Sequence, residues 1–144
     1  MSIATERRLL QVAVALACLV PFSASIAGIA GGAAWLARGP VTTDLDSHFR
    51  YLSGIFLALG IAFASCIPAI EARTARFRLL GAMVVAGGLA RLLSLATVGV
   101  PEAGMRFGLV MELGVVPLLM LWQARVARRY RVPSSPAGTA TLGA

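Results

Sequence analysis

Residues 77–123 read FRLLGAMVVAGGLARLLSLATVGVPEAGMRFGLVMELGVVPLLMLWQ. Two apolar runs flank the turn Gly99-Val100-Pro101-Glu102, and each carries one charge deep in its interior, Arg91 in the first and Glu112 in the second. A helix that crosses a ~30 Å hydrocarbon core needs about 20 mostly apolar residues. A charge inside such a span costs roughly 2.5–3.5 kcal/mol on insertion scales and normally faces a partner or a cavity. Arg91 lies ten residues before Pro101 and Glu112 eleven residues after it. At a helical rise of 1.5 Å per residue, both sit ~15 Å below the turn, near the midplane. Opposite charges at one depth predict a buried pair between two antiparallel membrane helices.

The rest of the chain extends this pattern. Apolar stretches run from Leu9 to Ala37 and from about His48 to Ile70, ahead of those at Phe77–Val98 and about Ala103–Gln123. The expectation is an all-α membrane protein, an antiparallel bundle of four transmembrane helices within residues 1–131. Residues 132–144, VPSSPAGTATLGA, are mostly Pro, Ser, Gly, Ala and Thr and are expected to form a disordered cytoplasmic tail. Composition agrees: hydrophobic residues make up 58% and charged residues 13%, against about 25% charged in soluble domains. Mean hydropathy is +0.84.

All thirteen basic residues are arginines, and most cluster at the ends of the apolar stretches. A net charge of +7 distributed in this way reads as a topology signal and argues against a nucleic-acid partner. Arg7 and Arg8 precede helix one, Arg73, Arg76 and Arg78 separate helices two and three, and Arg125, Arg128, Arg129 and Arg131 follow helix four. The opposite side holds Arg38, Arg50 and Arg106, offset by Asp44, Asp46 and Glu102. The positive-inside rule then places both termini in the cytoplasm. The start also resembles a secretory signal peptide, with Glu6-Arg7-Arg8, an apolar core and the small residues Ser25-Ile26-Ala27. Cleavage there would leave the apolar run GIAGGAAWLA at the new terminus, so an uncleaved first helix is the expectation.

Polar residues mark two further places. Helical spacing puts Gly87, Gly88, Arg91 and Ser94 on one stripe of helix three, and Gly108, Glu112 and Val115 or Val116 on one stripe of helix four. Arg91 and Glu112 with Ser94 read either as a bundle-locking ion pair or as an anchor for a polar ligand group. Ser47-His48-Phe49-Arg50-Tyr51 opens helix two. His48, Arg50 and Tyr51 there read as a polar mouth on the periplasmic side, or as local i, i+4 pairing of Asp44 with His48 and Asp46 with Arg50. Thr42 to Ser47 is rich in N-capping residue types, and Pro101-Glu102 suits the first turn of helix four. Cys18 and Cys66 are expected as small buried hydrophobes at different depths rather than a disulfide. One histidine and no cysteine cluster support no metal site and no cofactor. No phosphate-binding loop or serine-hydrolase elbow is present.

Ser47-His48-x-Arg50-Tyr51-x-x-Gly54, Pro68-x-Ile70-Glu71, Gly87-Gly88-x-x-Arg91, Gly99-x-Pro101 and Glu112-x-x-x-x-Pro117 resemble a family of small four-pass bacterial membrane proteins catalogued as a domain of unknown function. The resemblance covers about Ser47 to Arg128, with helix one and the tail outside it. More distantly the pattern is similar to the DoxX-like four-helix proteins, some of which are linked to quinone-coupled redox or membrane complexes. These resemblances imply the fold and a location in the bacterial inner membrane, and carry no catalytic residue across. Two function classes follow. One is a binder or accessory factor for a lipid-like or quinone-like molecule, with a polar pocket opening to the periplasm. The other is a structural subunit that meets a membrane-protein partner, or a second copy of itself, through glycine-rich faces. An enzyme acting on a lipophilic substrate ranks below both, because His48 is the one conventional acid–base residue beside the carboxylates.

Overall fold

The computed structural model describes residues 2–37 and 39–131, so the tail expected from residue 132 onward lies outside the described residues. Four helical spans, Ile3–Trp35, Thr43–Ala69, Thr74–Thr97 and Ala103–Arg131, are each long and apolar enough to cross a membrane. The first is α1 (Ile3–Gly31) followed by the 3-10 turn Gly32–Trp35, and α1 runs unbroken through Pro21. The second is α2 (Thr43–Ala64) with the 3-10 turn Ile67–Ala69, and the third is α3 (Thr74–Thr97). The fourth comprises α4 (Ala103–Val110), a π-turn at Met111–Val115 and α5 (Val116–Arg131).

Local chemistry sets these ends. Thr42 is the N-cap of α2, and its hydroxyl accepts from the Leu45 amide at 3.3 Å. Asp44 and Asp46 fall in the first turn, where carboxylates complement the helix dipole. Pro101 was expected inside the first turn of helix four, but α4 begins at Ala103 with Glu102 as its N-cap residue. Spans one, two and four extend past their apolar stretches because their polar ends find partners. Glu6 and the arginines of α5 are bonded to one another, as described below.

The spans pair as two hairpins. α1 packs along α2, and α3 packs against the whole fourth span through α4, the π-turn and α5. Between the hairpins the main contact is α1 with α5, while α2 and α3 meet only sparsely. The core lies at the end that holds both helical termini and the turn between α2 and α3, here the terminal end. Leu10, Val14, Ile70, Phe77, Leu119 and Val126 are buried there, and Phe63 meets Phe77 edge to face with centroids 5.2 Å apart. Cys18 and Cys66, expected at different depths, are free thiols buried in this same cluster. At the opposite end, here the loop end, α4 contributes no buried residue, and α3 none beyond Gly88. The bundle is therefore joined at one end and parted at the other.

Two glycines are fixed by geometry. Gly32 has φ +60°, and a side chain on it would run into Asp46 and Arg50. Gly88 brings α3 onto the π-turn: an added Cβ would stand 2.7 Å from Leu113 Cδ2 and 2.9 Å from Glu112 Cβ. Glu112 Cβ cannot rotate away, so Gly88→Ala must push the two helices apart. Overpacking of this kind costs about 1–3 kcal/mol. At Gly81 the atoms nearest an added Cβ all belong to the Met120 side chain, which is flexible enough to re-pack. Thermal unfolding in detergent is expected to show a clear loss for Gly88→Ala and little change for Gly81→Ala. Equal midpoints for the two variants would refute this packing.

Candidate functional site

The parted hairpins flank a half-open cavity of about 550 Å³, within the ~300–1,000 Å³ usual for small-molecule sites. Val14, Cys18 and Pro21 line it from the first span, and Phe56, Leu59 and Phe63 from the second. Phe77, Val84 and Arg91 line it from α3, while Met105, Phe107, Gly108, Glu112 and Leu119 do so from the fourth span. Trp35, Leu36 and Glu102 stand toward the loop end. The wall is mostly apolar; its polar side chains are Ser23, Glu102 and the meeting Arg91 and Glu112.

Arg91 Nε lies 3.2 Å from Glu112 Oε2. The partners differ in environment: the Glu112 side chain is 9% exposed and that of Arg91 42%. Glu112 Oε2 is fully buried and accepts no hydrogen bond, so the contact is an ion pair without good hydrogen-bond geometry. Arg91 Nη1 donates to Met105 Sδ at 2.9 Å, a weak acceptor. The π-turn Met111–Val115 contains Glu112. Such turns re-aim side chains and are frequent at functional sites. Here it combines with the close approach at Gly88 to hold the carboxylate against the inner wall.

Ser94 lies on the other side of Arg91, where it lines a smaller cavity of about 190 Å³ with Leu95, Pro101, Met105 and Leu109. His48, Arg50 and Tyr51 line neither cavity. His48 is exposed, Tyr51 is 65% exposed, and among the described residues Asp44 and His48 form no ion pair. Arg50 turns onto the first span instead. Its Nε donates to Asp46 Oδ2 at 2.7 Å, and its Nη1 donates to the carbonyls of Ile29 and Ala30 at the end of α1. Asp46 Oδ1 accepts from the Ala33 amide at 2.9 Å. These bonds satisfy a helix C-terminus that would otherwise leave carbonyls unpaired.

A second polar group, not read from the sequence, closes the terminal end. Glu6 is 3% exposed. Arg129 Nη1 donates to its Oε2, and Arg125 Nε lies 3.3 Å from its Oε1. Arg7 Nε donates to Glu71 Oε2 at 2.6 Å, and Arg7 Nη2 to the Pro68 carbonyl at 2.7 Å. Burial of Glu71 raises its carboxyl, but the hydrogen bond and charge of Arg7 and a backbone hydrogen bond outweigh this and hold it below its ordinary value. Gln11 Nε2 donates to the Ile67 carbonyl at 2.7 Å. Gln123, fully buried, donates to the Ile70 carbonyl at 2.7 Å and to Thr74 Oγ1 at 2.9 Å. Gln11 and Gln123 carry the same sequence signal as Arg91 and Glu112, a strong hydrogen-bonding group at the edge of or inside an apolar run.

The profile of the family described as Domain of unknown function (DUF4345) matches residues 9–123. The chain belongs to that family. The match corrects one expectation: the first helix lies inside the DUF4345 region rather than outside it. The packing explains why, since α1 forms one hairpin with α2 and supplies a wall of the cavity. No curated protein and no solved structure matches the chain.

Proposed function

We propose that this DUF4345 protein holds a lipid-like or quinone-like amphiphile between its two hairpins, with Arg91 and Glu112 at the polar end of the ligand. The observation that carries this reading is an apolar cavity of about 550 Å³ whose wall holds a buried carboxylate without a hydrogen bond. A core built only for stability fills such a space, because voids lose packing energy. Gly108 lines the cavity, and an added Cβ there would meet nothing nearer than Arg91 Nη1 at 3.9 Å. A large side chain at this position grows into the cavity. Protein purified in nanodiscs is therefore expected to retain a small amphiphile, identified by extraction and mass spectrometry, and Gly108→Phe is expected to lose it while remaining folded. Recovery of a stoichiometric protein partner with no amphiphile would favour the structural-subunit reading instead.

The proposed setting is the bacterial inner membrane, with both termini in the cytoplasm and the loop end facing the periplasm. Nine arginines at or near the terminal end support this orientation: Arg7, Arg8, Arg73, Arg76, Arg78, Arg125, Arg128, Arg129 and Arg131. Reporter fusions after Arg38, Ile70, Val98 and Arg125 are expected to read outside, inside, outside and inside. A periplasmic reading after Arg125 would invert or break the proposed topology.

A further inference from the structure

We infer that the ligand is a neutral single-chain amphiphile whose polar end carries a hydroxyl group, and that the site discriminates against carboxylates and against headgroups that only accept hydrogen bonds. The inference rests on the amphiphile reading above and narrows it.

Charge is the first constraint. Arg91 and Glu112 neutralise each other across 3.2 Å. A ligand bearing a further charge would bring an uncompensated ion into an apolar cavity, which is strongly unfavourable. Neutral headgroups escape this penalty.

Hydrogen bonding is the second constraint. Glu112 Oε2 is fully buried and accepts no hydrogen bond, so a ligand donor meets this carboxylate at Oε1. A carboxylate offers acceptor sites only, and a guanidinium offers five donors only. Arg91 uses Nε on Glu112 and Nη1 on the Met105 sulfur. The pair therefore presents spare acceptor capacity beside spare donor capacity. A hydroxyl both donates and accepts through one oxygen, so it can bridge the pair. A ketone, ester or quinone can accept from Arg91 but leaves the carboxylate without a donor, and an unpaired buried polar group is what discriminates most strongly in a site of this kind.

Volume is the third. A methylene is similar in size to a water molecule, at about 30 Å³. The cavity of about 550 Å³ thus holds roughly 18 such groups. One chain with a small headgroup is of this size.

Three probes of equal chain length separate these features: hexadecanol, hexadecanoate and methyl hexadecanoate. Each is radiolabelled and titrated against the full chain in nanodiscs, with empty nanodiscs as the blank. The expected result is saturable binding of hexadecanol at one per protein, about tenfold or more tighter than either other probe. In Glu112→Gln the charge of Arg91 is no longer balanced, so the preference is expected to reverse toward hexadecanoate. Wild-type protein that binds all three alike, or prefers hexadecanoate or the ester, would overturn the inference while leaving the amphiphile reading intact. Failure of all three probes, in protein shown to be folded, would overturn both. The wild-type comparison stands even if Glu112→Gln does not fold.

Discussion

Replacing Arg91 with leucine is expected to destabilise the detergent-solubilised protein more than replacing Glu112 with leucine, and the double replacement to recover much of the loss. Removing one partner of a buried ion pair typically costs ~3–5 kcal/mol, while replacing both by apolar groups is often close to neutral. The asymmetry follows from exposure. Glu112 is 9% exposed, and without Arg91 it is left in an apolar wall with neither an ion partner nor a hydrogen bond. The Arg91 side chain is 42% exposed and long enough to move its head toward water when Glu112 is gone. Arg91→Leu therefore takes the upper part of that range and Glu112→Leu the lower. Thermal or chemical unfolding of the two single variants and the double variant gives the coupling energy directly. Additive losses would mean that the pair does not interact. Ligand occupancy is a separate readout. A stable double variant that no longer retains an amphiphile assigns the pair to binding, and one that retains it assigns the pair to structure.

The four spans and the common level of Arg91 and Glu112 were legible in the sequence because both depend on one coordinate, distance along a helix. Apolar length gives the span, and residue count from Pro101 gives the depth. Which neighbour each face meets is a different quantity, and spacing alone does not determine it. Gly81, Gly87 and Gly88 show the difference: an added Cβ would meet Met120 at the first and Glu112 and Leu113 at the third, but nothing at the second. All three read alike as small residues in an apolar run. The π-turn at Met111–Val115 was likewise not read, although it contains Glu112 and precedes Pro117, whose missing N–H leaves the Leu113 carbonyl without its usual helical partner. The polar stretch Ser47–Tyr51 looked like a site because its residue types suit one. Of these, Arg50 is bonded to Asp46 and to the carbonyls of Ile29 and Ala30. The cavity itself comes from the uneven pairing of the hairpins, which arises only once all four spans are assembled.

The second large effect concerns the terminal end, where Glu6 holds the first and fourth spans together. Arg125→Ala or Arg129→Ala alone is expected to cost little, of the order of 1 kcal/mol or less, because the remaining arginine still pairs with Glu6 and exposed pairs contribute little. The side chains of Arg125 and Arg129 are 68% and 46% exposed, so neither loses much on its own. Removing both is different in kind. Glu6, at 3% exposure, loses the two ion partners it has among the described residues. An uncompensated buried charge of this sort costs ~3–5 kcal/mol, well above the sum of the single losses. Adding Glu6→Gln to the double variant is expected to restore part of the loss, because an amide carries no charge to compensate. Unfolding midpoints of the four variants in micelles test this, and a double loss equal to the sum of the singles would show that Glu6 does not depend on these arginines. The same variants separate the two polar sites of the molecule. The Glu6 group joins the hairpins at the end remote from Arg91, so weakening it is expected to lower stability without changing amphiphile occupancy per folded molecule. A parallel fall in occupancy would mean that the cavity opens from the terminal end, through the contact between α1 and α5, and not from the loop end where the hairpins part.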